Sequence, residues 1–316
     1  MTSAPLRTVH VACPLCGVDR PRLLSRGRDF EYATSDDEFA FQLCAGCGVA
    51  YLDPRPHASE LERIYPEAYA SYHFAEPRFT LRVRALLESW RARAFARRLP
   101  AKADILDAGC GGPGFLESLR RLGRPGWTLW GNDVSGRVLA DLERRGFRTL
   151  PGRFEEIGDS AAGFDAIFFK QVIEHLEDPK AVIANAARLL RPGGLLVLET
   201  PNLDAWDARC FRERHWGGYH FPRHWTLFTP RTLAEQGRAI GFELESTAFL
   251  LSPTNWVQSV HHRLLDEGRP AWLYNRFTHM NPLALGAAVL VDLVQRAVAG
   301  RTSNMRIVFR KPSEKR

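Results

Sequence analysis

The chain has 316 residues, enough for one large domain with additions or for two domains, and 45% of it is apolar, as a protein with a real core requires. Its formal charge of +7 comes from 43 Lys+Arg against 36 Asp+Glu, an excess that, spread over a large domain, does not by itself argue for nucleic acid or an anionic bilayer. Met1 to Val11 hold no apolar run of signal-peptide length, which makes the cytoplasm the expected location; the longest apolar run, Pro282 to Val291, stops at Asp292 and reads as too short to span a bilayer.

The first elements are two knuckles, Cys13-Pro-Leu-Cys16-Gly17 and Cys44-Ala-Gly-Cys47-Gly48. Each bends two thiolates toward one point, and four thiolates so spaced favour a tetrahedral, structural zinc. Residues 1–52 therefore read as a zinc ribbon with short strands such as Phe39–Leu43, too small to fold on a core of its own. A connector and helical segment covers 53–99. It holds a short helix at Ser59–Tyr65, the residues Tyr69, Tyr72, His73 and Phe74, and a helix over 79–99 with apolar Leu81, Leu86, Trp90 and Phe95. The seven arginines from Arg78 to Arg98 fall on the solvated face of that helix. Cys110 and Cys210 read as small apolar fillers.

From residue 100 to 316 the pattern alternates as in a wound α/β domain. Strands are predicted at Asp104–Asp107, Thr128–Asp133, Phe147–Leu150, Phe164–Phe169, Leu195–Thr200, Gly241–Phe249 and Asn304–Phe309. Helices are predicted at Phe115–Leu122, Gly136–Arg145, Pro179–Leu190 and Pro230–Ala239, the third stopped by Arg191-Pro-Gly-Gly194. Residues 251–303 are an insertion longer than a hairpin needs. It is expected to cap the site, to make a homodimer contact, or to lie on a membrane surface through 282–299.

The run Ile105-Leu106-Asp107-Ala108-Gly109-Cys110-Gly111-Gly112-Pro113-Gly114 hands a buried strand to a tight turn where a ligand meets bare backbone. The next strand ends at Asp133, 26 residues after Asp107 and placed to accept two ribose hydroxyls. The additional carboxylate of Asp107 suits a cofactor with ribose, adenine and a cationic methionine end better than a dinucleotide.

Together with Gly131-Asn-Asp-Val-Ser135, the segment Phe164 to Pro179 and Leu190-Arg-Pro-Gly-Gly-Leu-Leu-Val-Leu-Glu199, this turn resembles the successive motifs of class I S-adenosylmethionine-dependent methyltransferases. The resemblance covers roughly 100–250. It implies a Rossmann-like α/β sheet of seven strands, the last antiparallel, with helices on both faces. It also implies that Gly109 and Gly111 pass the methionine portion, Asp133 holds ribose, Phe154 and Glu155 lie near adenine, and Gln171 and Val172 line the other side. Pro113 stands where the family's third glycine is expected, so the turn must be reshaped there.

The acceptor segment is His215 to Thr229, after the fifth strand of that sheet, with three histidines, one arginine and several aromatics. His220 or His224 is the candidate general base. Arg223 is the candidate for an anionic part of the substrate, with Tyr219 and Trp225 beside it. The zinc unit ahead of such a core resembles bacterial deoxysugar C-methyltransferases, while Pro222 to Thr229 looks more like ubiquinone-type O-methyltransferases and enzymes of polysaccharide or natural-product biosynthesis. The resulting expectation is O- or C-methylation of a small or carrier-linked metabolite. Two other readings are an RNA base methyltransferase that recognises RNA with its ribbon, disfavoured by the ribbon's scattered charge, and an inactive cofactor-binding interaction protein.

Overall fold

The computed structural model describes residues 4–66, 92–93, 95–122, 125–161 and 163–313. Tyr69, Tyr72, His73, Phe74, Leu81, Leu86 and Trp90, and most of the helix expected over 79–99, lie outside them. Phe95, at the end of that stretch, is buried and meets Phe168 edge-on at 4.9 Å between centroids.

A seven-stranded sheet organises the chain from residue 102 onward. In spatial order its strands are Glu243–Leu250, Asn304–Arg310, Leu190–Pro201, Phe164–Lys170, Lys102–Ala108, Gly126–Asp133 and Arg148–Pro151. Asn304–Arg310 runs antiparallel to both neighbours, and the five strands on its far side pair in parallel. Covered on both faces, the central strands are continuous apolar runs; Leu195 to Leu198 are each at most 1% exposed. The predicted strands are found, with ends within two residues of those expected. The exception is Leu190–Pro201: the Arg-Pro-Gly-Gly stop is drawn into the strand as an irregularity between Leu190 and Leu195, with Gly193 at φ +80°.

The helices start where their caps dictate. Asp178 accepts from the Ala181 amide at 2.9 Å ahead of Pro179, and Thr229 with Thr232 forms a reciprocal cap ahead of Pro230. The short helix near residue 60 is a 3-10 turn at Ala58–Glu60 followed by Leu61–Ile64.

The N-terminal unit is joined to the rest through a shared sheet. Strands Pro21–Gly27, Phe39–Cys44 and Ala50–Leu52 are completed by Thr226–Leu227, Thr226 pairing with Tyr51. Beneath them one apolar cluster combines Phe39, Phe41 and Leu52 with Trp216, Tyr219 and Phe221. The ribbon is thereby held against the acceptor segment. The insertion folds into helices Pro253–Asp266, Ala271–Tyr274 and Pro282–Ala299. The last continues through Asp292 and reaches 18 residues, by length and composition enough to cross a membrane, where the apolar run read to Val291 alone was too short. Asp292 is no interruption because it is turned inward and buried.

Candidate active site

The glycine turn opens where the strand Lys102–Ala108 ends. Gly109 and Gly111 have φ +61° and +60°, a backbone that side chains resist. A Cβ on Gly109 would lie 2.7 Å from Val172 Cγ1, whereas one on Gly111 would meet nothing within 4 Å among the described residues. Gly109 is thus sealed by Val172, and Gly111 leaves bare backbone facing open space, the cradle a nucleoside cofactor needs. The Gly111 amide donates to Asp133 Oδ2 at 2.9 Å and the Ser135 amide to Oδ1 at 2.8 Å. Two backbone donors fix this carboxylate, and each oxygen keeps lone-pair capacity for a hydroxyl. Asp107 is buried at the strand end. Burial, with Asp107 and Asp133 nearby, pushes the Cys110 thiol up and keeps it protonated, which disfavours a nucleophile there. Pro113 accepts from the Glu117 amide at 2.8 Å and so opens the next helix, a position that needs no N–H.

Phe154 turns its ring into the core, edge-on to Phe169 at 4.7 Å, while its carbonyl takes the Asn185 amide at 2.6 Å. Glu155 is engaged by Arg153 at 2.7 Å. Asn132 clamps the carbonyls of Leu150 and Gly152, both at 2.9 Å, and ties the second sheet turn to the third.

At the carboxyl ends of the strands lies a cavity of about 520 Å³. Gln171, at φ +57°, is in its wall, and its neighbour Val172 is the residue that seals Gly109. The glycine turn and the cavity therefore meet at one dipeptide. Six histidines line the cavity: His175, His220, His224, His261, His262 and His279. Gly217 and Gly218 are required there by contact rather than by flexibility, since a Cβ would lie 2.8 Å from the Asn255 carbonyl or 2.3 Å from the Trp216 ring.

Three rings form a cluster, His175 to His224 at 4.6 Å, His220 to His224 at 4.9 Å and His175 to His220 at 6.1 Å between centroids. His220, held in the left-handed region at φ +43°, places Nδ1 2.6 Å from Glu31 Oε1. Gln258 donates to the other Glu31 oxygen at 3.3 Å. Burial pushes the Glu31 carboxyl up, but the charge and hydrogen bond of His220 outweigh it, and the group ends below its ordinary value. An ionised Glu31 only accepts, so Nδ1 keeps its proton in either charge state of the ring and Nε2 is the atom that exchanges one.

His224 Nδ1 lies 2.8 Å from the Gly218 carbonyl, which fixes the same tautomer. Burial, then His175 and His220, pushes His224 well below its ordinary value, and burial takes His175 down to about 3. Glu174 is fully buried; it accepts from Thr200 at 3.0 Å, and burial lifts it to about 8. Its Oε1 lies 3.9 Å from His224 Nε2. Glu174, His175 and His224 bring three ligand atoms within 4.8 Å of one another, but a cation there would have to displace the Glu174 proton.

The three acceptor-binding candidates other than the histidines are structural. Arg223 is fully buried and bound by both oxygens of Asp29, at 3.1 and 2.7 Å, and by the Ile64 carbonyl at 2.7 Å. Tyr219 is buried with its hydroxyl donating to the Arg212 carbonyl, and the buried Trp225 indole donates to Pro222. Each is buried at the joint between ribbon and core. Sequence reasoning missed Glu31, Glu174 and His175. The available signals were Glu174-His175 two residues beyond Val172, and a lone acid between the aromatics Phe30 and Tyr32.

The four knuckle sulfurs lie within 4.8 Å of one another, with Cys13–Cys47 at 3.5 Å and Cys16–Cys44 at 3.4 Å. Zinc–sulfur bonds of ~2.3 Å set tetrahedral edges near ~3.8 Å, so this donor set fits zinc. Gly17 and Gly48, at φ +71° and +74°, return the chain behind each second cysteine.

Residues 79–247 match a family model described as a methyltransferase domain. Among curated proteins, the chain is similar to the ubiquinone biosynthesis O-methyltransferase of Cereibacter sphaeroides, 30% identical over 175 residues, covering 51% of this chain and 69% of that protein. The like-named protein of Xanthomonas oryzae pv. oryzae is 36% identical over 109 residues, 32% of this chain. The chain spans 44% of that relative's length, so the similarity is to part of it. A solved structure of a Burkholderia thailandensis 1,6-didemethyltoxoflavin-N1-methyltransferase, with its substrate and S-adenosylhomocysteine bound, superimposes with TM-score 0.50 at 18% identity, covering 86% of this chain and 98% of that one. That likeness shows the shared fold.

Proposed function

Because this chain belongs to the class I S-adenosylmethionine-dependent methyltransferases, we propose that it methylates a hydroxyl of a small or carrier-linked metabolite, with His220 as general base. The donor supplies an electrophilic methyl group on a sulfonium. Gly111, Asp107 and Asp133 would hold its nucleoside and methionine portions, and Gln171 and Val172 stand where that turn meets the histidine cavity. The acceptor oxygen attacks the methyl carbon in line as the carbon–sulfur bond breaks, and the hydroxyl proton passes to His220 Nε2. Glu31 holds the ring and stabilises the imidazolium so formed. His224, neutral and fixed in one tautomer, offers a second acceptor for a substrate N–H or O–H.

The carrying observation is the adjacency of turn and cavity: Val172 packs against Gly109 of the glycine turn, and its neighbour Gln171 lines the cavity with His220. The names of the curated relatives favour an oxygen acceptor of the quinone-precursor kind. Phe30 to Tyr32 of the ribbon line the cavity, which supports a small acceptor rather than a groove for RNA. Zinc on Cys13, Cys16, Cys44 and Cys47 is structural in this reading, because four thiolates leave no open coordination position.

The test is a cell extract incubated with radiolabelled methyl donor and the protein, with the labelled product identified by mass. Label in a small or lipid-extractable molecule carrying a methoxy group supports the proposal. Label in RNA, or in a C- or N-methyl product, rejects it. Stoichiometric zinc lost on Cys44→Ser would support the metal assignment.

A further inference from the structure

The helix Pro282–Ala299 is built inside out. Its protein-facing side carries Ala288, Asp292 and Gln295, all buried. Asp292 accepts from the Ser252 amide at 2.5 Å and the Trp256 indole at 3.1 Å. The outward side carries Leu283, Leu290, Val291, Leu293, Val294 and Val298, from 41% to 83% exposed. A helix facing water is arranged the other way round. Trp272 and Met280, on the segment leading into it, are 65% and 49% exposed. An apolar face of this extent marks a surface that is covered in use.

Charge indicates by what. Asp292 and Arg296 are the charged residues of 282–299, and Asp292 is buried, so the outer face presents no acid. Its borders are basic. Arg276 lies 5.5 Å from the Trp272 ring centroid before the helix, and Arg296 is exposed in its last turn. Aliphatic side chains flanked by tryptophan and arginine are the composition of segments that rest at a bilayer interface, with the cations among lipid phosphates. Two copies packed antiparallel across this face would set the Arg276 end of one helix against the Arg296 end of the other, which an anionic lipid surface avoids. The bonds from Asp292 to Ser252 and Trp256 tie the middle of the helix to the body of the protein. It therefore lies along a surface rather than across a membrane.

We infer that Trp272, Met280 and the outer face of Pro282–Ala299 dock this protein on an anionic bilayer. Phe277, Thr278 and His279, between Trp272 and the helix, line the histidine cavity. Docking therefore brings the cavity to headgroup level, where the head of an amphiphilic acceptor enters while its tail stays in lipid. That acceptor class rests on the methyltransfer reading; the docking does not.

The test floats the full, zinc-loaded protein with phosphatidylcholine–phosphatidylglycerol vesicles and with phosphatidylcholine alone. The expected result is binding to the anionic vesicles that weakens by roughly tenfold or more in Leu290→Glu/Val294→Glu, two exposed positions whose change leaves the thermal melt in place. No flotation of the parent protein, or equal flotation of the variant, overturns the inference. So does a dimer, seen by light scattering, that the variant converts to monomer, because a second copy would then cover the face. Flotation needs neither donor nor turnover, so it stands or falls apart from the methyltransferase chemistry.

Discussion

Glu31 of the ribbon and His220 of the acceptor segment, 189 residues apart in sequence, meet at 2.6 Å between Oε1 and Nδ1. The ribbon thus supplies the carboxylate that fixes the tautomer of the candidate base. His220→Ala is expected to lower kcat by roughly 10²–10⁴-fold, the usual worth of a general base. Glu31→Gln should fall between that variant and the parent. Calorimetry with S-adenosylhomocysteine should give near-parental affinity for both. A His220 variant with full turnover would remove it as the base.

Arg223 reaches the same dyad indirectly. It grips Asp29, whose Oδ1 also accepts the amides of Glu31 at 3.2 Å and Tyr32 at 3.0 Å. Arg223→Met leaves a buried carboxylate unpaired and should cost about 3–5 kcal/mol in denaturant unfolding. Asp29→Asn/Arg223→Met should cost less than the two single changes summed. Burial raises Asp29, yet the hydrogen bonds and charge of Arg223 hold it at about 2 against an ordinary 3.8. Its contribution to stability is therefore complete above pH 3.8 and disappears as pH falls through 2. If Arg223 bound substrate instead, the variant would raise KM and leave the unfolding midpoint in place.

Glu174 has the opposite sign. Burial holds it at about 8 in the folded protein against an ordinary 4.5. Between those values the unfolded chain has released a proton that the folded one keeps, so stability declines as pH rises, by up to about 1.4 kcal/mol per pH unit. Glu174→Gln removes this term. Melting curves of parent and variant should therefore diverge from pH 5 toward 8, the range that the two values bracket, with the variant gaining. Parallel curves across that range would show that Glu174 ionises normally.

Gly109→Ala sets a methyl group 2.7 Å from Val172 and strains a residue at φ +61°. S-adenosylhomocysteine affinity should drop by roughly tenfold or more, equivalent to about 1.4 kcal/mol, within the cost of one strained residue. Gly109→Ala/Val172→Ala relieves the contact but not the backbone, so calorimetry should show partial recovery. Full affinity in the single variant would mean that the turn does not bind the cofactor as assigned.

Much of the architecture is legible in the amino-acid sequence. The strands from Lys102 to Lys170, the glycine turn and the two cysteine knuckles are written in short-range periods and spacings, and they are found within a residue or two of their expected limits. The apolar run in Pro282–Ala299 was read as ending at Val291 because a charged residue reads as an interruption. Asp292 is instead sheltered by the Ser252 amide and the Trp256 indole, two donors that no local pattern announces.

The sequence by itself determined the glycine turn and the cluster of four cysteines, because neighbouring residues along the chain make those features and their geometry follows from spacing. Only the tertiary structure decided what faces Arg223, Tyr219, Trp225 and the histidines. A polar side chain serves chemistry or support according to what faces it, and Arg223 faces Asp29 while His220 faces Glu31. Those partners come from the far end of the chain, brought in by a shared apolar core whose packing is not encoded in any local window.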